Sequence, residues 1–228
     1  MTKQALQGLR TIPLFAELPD ESLHRLAAES SVTQFARGDI VVRQGDKATH
    51  VYAVIDGQIG IVGETPNGEE TIVTIFNAGQ VFGIPAAVMN GPFLVGVRVT
   101  KRATVIRIPT PAYLAQLDED HTLALGTIQT LAMHVREHAR HIVELKLKTA
   151  HQRLAAHLAA QAVERTGAAI IALEGERRLL AGQLGMTPES LSRAFAGLRQ
   201  HGVNGRGKRF EIADIGKLRS YGQVDGLT

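Results

Sequence analysis

Four groups of residues have the types and spacing to do chemistry. His134-Val135-Arg136-Glu137-His138 fits H-x-x-E-H, in which two imidazoles four apart share a helical face and can hold zinc beside a carboxylate base. Asp118-Glu119-Asp120 gathers carboxylates, the raw material of acid–base catalysis. Gly57-Gln58-Ile59-Gly60-Ile61-Val62-Gly63 has the glycine density of a loop that cradles phosphate. Residues 177–196, RRLLAGQLGMTPESLSRAFA, combine a turn glycine with a Thr-Pro helix start, and the helix opens Glu189-Ser190-Leu191-Ser192-Arg193. Such side chains read base edges: Arg donates twice to guanine, Glu accepts from cytosine, and Ser reaches bases or phosphates.

The surroundings support only the last. No acidic ligand follows the histidine pair, and His138 falls on an apolar helical seam. A zinc-binding enzyme through His134 and His138 is therefore kept as an alternative that a metal assay would dispose of. Between two subunits the same histidines would bridge zinc or haem. The acidic trio suits a helix N-terminus, where the macrodipole favours negative charge. The glycines lie inside a strand pattern with no helix following, which is no nucleotide fingerprint. No Ser/His/Asp arrangement is supported locally. The chain is expected not to be an enzyme.

The elements that position these residues follow from periodicity. Residues about 32–108 alternate β-branched and polar side chains between turns at Gly38-Asp39, Gly45-Asp46, Asp56-Gly57 and Asn67-Gly68, as a roll, barrel or sandwich requires. Pro109 and Pro111 close this region. A long helix is expected from about Asp120 to Lys146. Its heptad a positions are His121, Ile128, Val135 and Ile142, and its d positions are Ala124, Leu131, His138 and Leu145. Leu125, Ala132 and Ala139 widen the stripe, so that this flank would face the roll while the seam faces a second copy. Thr149-Ala150-His151-Gln152 has capping-box spacing and starts a helix from His151 to about Arg165, with Lys146–Thr149 as a hinge.

In the next segment Leu180, Leu184 and Leu191 face a core, Ala181 is small where helices cross, and Gly185 turns the chain. Thr187-Pro188 is a helix start, so the segment reads as a helix-turn-helix. Thr187, Glu189, Ser190, Ser192 and Arg193 are the candidate base and phosphate contacts at the start of its second helix. Residues 202–212, GVNGRGKRFEI, form a basic hairpin suited to a wing. Arg199, Lys208 and Arg209 are the candidate phosphate-binding cations.

Composition agrees with this division. Residues 1–146 hold 13 Lys/Arg against 15 Asp/Glu, and residues 147–228 hold 12 against 7, so the basic half is the one suited to a polyanion. Without cysteine there is no disulfide framework, cysteine-ligated iron–sulfur cluster or thiol nucleophile. No apolar run is long enough to cross a bilayer and no signal-peptide pattern opens the chain, so the cytoplasm is the expected compartment.

Over essentially its whole length the chain resembles the Crp/Fnr superfamily of bacterial regulators. The marks are Arg43-Gln44-Gly45-Asp46, Ile55-Asp56-Gly57, Gly79-Gln80-Val81-Phe82-Gly83, the long helix, and Leu180-Ala181 through Arg193. Glu189-Ser190-Leu191-Ser192-Arg193 is similar to the E-x-x-S-R element of the Fnr branch. That resemblance implies that Glu189, Ser192 and Arg193 read half-sites of the TTGAT type in a palindromic double-stranded DNA, with RNA polymerase as a further partner. Residues 145–158, with Thr187-Pro188-Glu189, are most like the nitric-oxide-responsive denitrification (Dnr-like) regulators.

The departures concern the effector. Cyclic-AMP binders of the family place Glu directly after F-G and an Arg past a G-P turn; Ile84 and Phe93 stand there instead. His138 and Ala139 fall where those binders use hydroxyl residues on the long helix. An apolar pair cannot neutralise a buried phosphate, which argues against cAMP. The cysteines of iron–sulfur members are also missing. What remains is an apolar effector site between roll and helix, walled by Phe82, Ile84, Phe93 and Val95, with His134 and His138 beside it. Haem with a gas ligand, an apolar molecule, or no effector would each be compatible. A β-roll module that acts without DNA is the rival class, and the helix-turn-helix and wing argue against it. The expected architecture is α+β: a cyclic-nucleotide-binding-type β-roll over 1–119, a dimerisation helix and hinge over 120–148, and a winged helix-turn-helix over 149–228.

Overall fold

Gly57 shows how far this β region departs from a string of tight hairpins. The computed structural model describes residues 2–64, 70–173 and 176–223. Within it Gly57 lies inside one continuous 15-residue strand, at φ 84°, with register shifts on both sides against its neighbour. Any Cβ here would overlap the Arg102 carbonyl. The Asp56-Gly57 pair is therefore a bulge and not the expected hairpin turn, because positive φ serves either purpose. Gly38 and Gly45 do take positive φ in loops, at 93° and 86°. The Asn67-Gly68 turn lies outside the described residues.

The chain divides into two compact units, Met1–Val135 and Arg136–Thr228. The first opens with helices α1 (Thr2–Arg10), α2 (Pro13–Ala16) and α3 (Asp20–Glu29). Strands β1 (Ser31–Phe35), β2 (Ile40–Val42), β3 (His50–Glu64), β4 (Glu70–Asn77) and β5 (Val81–Phe82) follow. Next come helix α4 (Ile84–Val88), strand β6 (Gly96–Pro109) and helix α5 (Thr110–Glu119), and then α6 (His121–Leu147) begins. The strands pair antiparallel in the order β1-β6-β3-β4, with β2 on β6 and β5 on β3. Two cores result. Val54, Ile59, Phe82, Phe93, Val97 and Val105 fill one, within the roll. In the other, Leu9, Phe15, Leu23, Ile84, Ile106, Tyr113 and Leu123 join the leading helices, α5 and the start of α6 to the sheet.

Asp120 fixes where α6 begins. Its carboxylate accepts from the Thr122 and Leu123 amides at 2.9 and 3.2 Å and from the Ser22 hydroxyl at 2.6 Å. Burial opposes the charge, but these donors outweigh it and hold the carboxyl below its usual range. Asp120 thus sits at a helix N-terminus, as expected, whereas Asp118 and Glu119 end α5, so the expectation holds for one acid of the trio and not for the other two. Two turns on, the Tyr113 and Thr127 hydroxyls share a hydrogen bond of 2.6 Å, and burial pushes the Tyr113 phenol up to about 12.

The flank of α6 that meets the roll differs from the expected one. Leu123 and Thr127 are buried there and Leu131 packs against the same core, whereas Leu125 and Ala132 stay exposed. Ile128, Val135 and Ile142, three of the heptad a residues, are 61%, 67% and 53% exposed and form an unpartnered apolar line.

The second unit takes in the last turns of α6. It continues with α7 (Ala150–Gln161), β7 (Ala169–Ala172), α8 (Arg177–Gln183), α9 (Pro188–Leu198) and a 3-10 turn over Arg199–His201. Strands β8 (Val203–Arg206) and β9 (Arg209–Ile212) and helix α10 (Ile215–Gly222) complete it. Both halves of the Thr149–Gln152 capping box form. Helix α7 stops four residues short of Arg165. The Arg219 guanidinium donates to the carbonyls of Ala159, Glu164 and Arg165, a cap supplied from α10 that no local signal announces. The three strands pair in the order β7-β9-β8, and one core unites them with α7 to α10.

Candidate nucleic-acid interface and effector site

The helix-turn-helix forms from the residues that predicted it. Leu180, Ala181, Leu184 and Leu191 are buried, and Gly185 turns the chain at φ 61°. Thr187 accepts from the Ser190 amide, and Pro188 takes the first helical position, where its missing N–H costs nothing. Leu191, Ala194, Phe195 and Leu198 commit one face of α9 to the core. The opposite face carries exposed Glu189, Ser192 and Arg193, with Thr187 exposed just before it and Ser190 half-buried.

The hydrogen bonds sort these side chains. Arg193 donates to the Ser190 hydroxyl at 3.1 Å, and the Ser192 hydroxyl folds back onto the Pro188 carbonyl at 2.9 Å. The carboxyl of Glu189 is held below its usual range by its own backbone amide, with help from Thr187 and Arg193. It is therefore an acceptor at neutral pH, as pairing with cytosine N4 requires. Strands β8 and β9 pair Arg206 with Arg209 across the two-residue turn Gly207-Lys208, with Gly207 at φ 67°. Lys208 and Arg209 are exposed on this wing, and exposed Arg199 follows α9.

A hollow of about 340 Å³ opens beside the contact of α9 with the wing, bordered by Arg177, Ser192, Phe195, Arg199 and Gly205. Arg177, which sequence reasoning did not single out, lies with its guanidinium 5.0 Å from the Phe195 ring centre, and Phe195 stacks on Phe210 at 4.6 Å. Its position as the first residue of α8, beside a basic neighbour, was the available signal.

The effector residues are only partly brought together. Phe82 stacks on Tyr52 at 4.7 Å, Phe93 lies 6.3 Å from Tyr52, and Val95 packs against the same core. His134 meets the edge of Phe76 at 5.4 Å, and Phe76 in turn meets Phe82 at 6.1 Å. Ile84 faces the other core, among Val51, Tyr113 and Leu123. His138 is exposed and belongs to the second unit. Among the described residues no three His, Asp or Glu side chains are grouped to hold a metal, and no helix is long and apolar enough to cross a membrane.

The cyclic nucleotide-binding domain family matches residues 32–120, and the Crp-like helix-turn-helix domain family matches residues 152–221. A Ruegeria pomeroyi DSS-3 protein named for cyclic nucleotide binding is 32% identical, with 99% of this chain and all of that one covered, at a TM-score of 0.60. The chain belongs to the Crp/Fnr family of transcription regulators. Its Crp/Fnr relatives include the transcriptional activator protein anr of Pseudomonas aeruginosa, 24% identical over 83% of this chain and 80% of that protein. The structure of DNR from Pseudomonas aeruginosa is 27% identical over 94% of this chain and 96% of its own, at a TM-score of 0.50. The chain spans only 26% of another relative, the cAMP-dependent protein kinase regulatory subunit of Blastocladiella emersonii. A cyclic-nucleotide-binding-type β-sheet domain, a long helix and a helix-turn-helix domain are the Crp/Fnr architecture, and the matched domains are those of transcription regulators and not of enzymes.

Proposed function

We propose that the protein is a homodimeric regulator that reads a palindromic duplex through α9 and answers to an apolar effector at its first unit. The observation that carries the reading is the outward face of α9, where Glu189, Ser192 and Arg193 project from a helix whose other face is core. The order of these three residues supports half-sites of the TTGAT type. Lys208, Arg209 and Arg199 supply cations for phosphates on either side, and RNA polymerase is the further partner that family membership suggests. The exposed line Ile128, Val135 and Ile142 supports pairing of α6 with a second copy. A mobility shift with a TTGAT palindrome against scrambled competitor tests the reading. Retarded duplex that scrambled DNA fails to compete away supports it, and equal competition refutes it.

The effector proposed is a small apolar molecule. Phe82, Ile84 and Phe93 are 4%, 1% and 6% exposed and offer no charge to a phosphate, which speaks against cAMP. Haem fits the donors poorly as placed. His134 already meets the Phe76 ring, and His138 is exposed in the second unit.

A further inference from the structure

We infer that Arg153 is a positioning residue for DNA recognition, clamping the helix-turn-helix turn to the end of α6. The inference rests on the DNA-binding reading above and deepens it. Arg153 donates from Nη1 to the Lys148 carbonyl at 2.7 Å, from Nε to the Leu184 carbonyl at 2.8 Å and from Nη2 to the Gly185 carbonyl at 3.3 Å. Lys148 directly follows α6, and Leu184 is the C-cap of α8. One guanidinium therefore lies on the carbonyl ends of two helices and on the turn between α8 and α9.

The last carbonyls of a helix lack intrahelical donors and form the negative end of its dipole. A rigid planar fork can satisfy several of them in one fixed geometry, and an ammonium on a flexible stem cannot. Packing reinforces the clamp. The Leu145 side chain occupies the place that a Cβ on Gly185 would take, and His151 does the same at Gly197 of α9. The Lys148 side chain is 7% exposed and pairs with Glu144 at 2.7 Å, so the residue whose carbonyl accepts from Arg153 is itself held. Within the second unit the direction of α9 is thereby fixed to the last turns of α6. Where α6 pairs with a second copy, the clamp sets the separation of the two recognition helices, and with it the half-site spacing.

The test compares full-length wild type, Arg153→Gln and Arg153→Lys by fluorescence anisotropy on palindromes whose half-site spacing changes in single base-pair steps, over a range of salt. Hydrogen exchange of the free proteins is followed at residues 148–152 and 184–187. Arg153→Gln is expected to lower affinity at the best spacing roughly 5- to 150-fold and to flatten the preference among spacings. The slope of log affinity against log salt should not change, because no phosphate contact is lost. Exchange at the turn should quicken, and Arg153→Lys should recover part of each effect. A slope reduced by about one would make Arg153 a phosphate contact and overturn the inference. So would an equal loss at every spacing with exchange at the turn unchanged. If wild type binds no duplex, the DNA-binding reading fails by itself, and the exchange data still decide whether Arg153 holds the turn.

Discussion

Arg193 donates to the Ser190 hydroxyl one turn back along α9, at 3.1 Å, so its guanidinium is held against the helix before any duplex arrives. Pre-placed donors lose less freedom on binding, which favours Arg193 as the base-reading residue over the exposed wing cations Lys208 and Arg209. Arg193→Ala should therefore abolish discrimination at one base pair per half-site, at a cost of about 1–3 kcal/mol per contact. Lys208→Ala should weaken binding to every sequence alike and reduce the salt slope by about one. Competition binding on a set of single-base-pair variants separates the two. Equal, sequence-blind losses from both substitutions would contradict these roles.

The second prediction concerns the apolar line on α6. Each branched side chain buried against a partner contributes roughly 1.5–3 kcal/mol, and Val135 and Ile142 are both more than half exposed on this line. Replacing both with Asp should give monomers that bind DNA weakly. Sedimentation velocity at low micromolar concentration measures this directly, and a double variant that remains dimeric would show that the seam lies elsewhere.

For the effector, titration with cAMP should give no saturable binding, and added haem should give no stoichiometric Soret band. Phe93→Arg introduces a cation beside the roll core and should raise affinity for cyclic nucleotide in a variant that circular dichroism shows to be folded. A stoichiometric Soret band that His134→Ala removes would overturn the apolar assignment in favour of haem.

Ser22 and Asp120 tie α3 to the start of α6, and the tie depends on pH. The Asp120 carboxyl titrates below its ordinary value, so its contribution is fully present above the unfolded pKa and is lost as pH falls through the folded one. Ser22→Ala should destabilise the first unit by about 1.5–3 kcal/mol at neutral pH, the range for hydrogen bonds to charged groups. The deficit should shrink as the solution is made acidic. Urea melts at several pH values give this difference, and a constant deficit at every pH would show that the bond to the carboxylate is not its source.

The parts of the fold legible in the sequence are those fixed by local chemistry. The Thr149 capping box, the Gly185 turn, the Thr187-Pro188 start and the buried Leu180, Leu184 and Leu191 all form as their residue types require. Features decided by distant contacts were not legible. Gly57 signals positive φ, yet whether it makes a turn or a bulge depends on the Arg102 backbone beside it. The end of α7 depends on Arg219, 54 residues from the Arg165 carbonyl it reaches. Helix α5, strand β7 and helix α10 have too few turns or residues to declare a period. At the candidate site the recognition helix was legible because one motif holds it. Arg153 and Arg177 were not, because their partners are backbone carbonyls and a ring brought near only by folding.

The central claim is that α9 reads sequence, and the specificity ratio measures it most directly. Affinities of the purified protein for a TTGAT palindrome and for a scrambled duplex of equal length and composition would be compared at several salt concentrations. The account predicts a ratio of at least about 10³ at physiological salt. It also predicts that Arg193→Ala reduces this ratio while the scrambled duplex binds as before. A ratio near one in the wild-type protein at every salt concentration would contradict it.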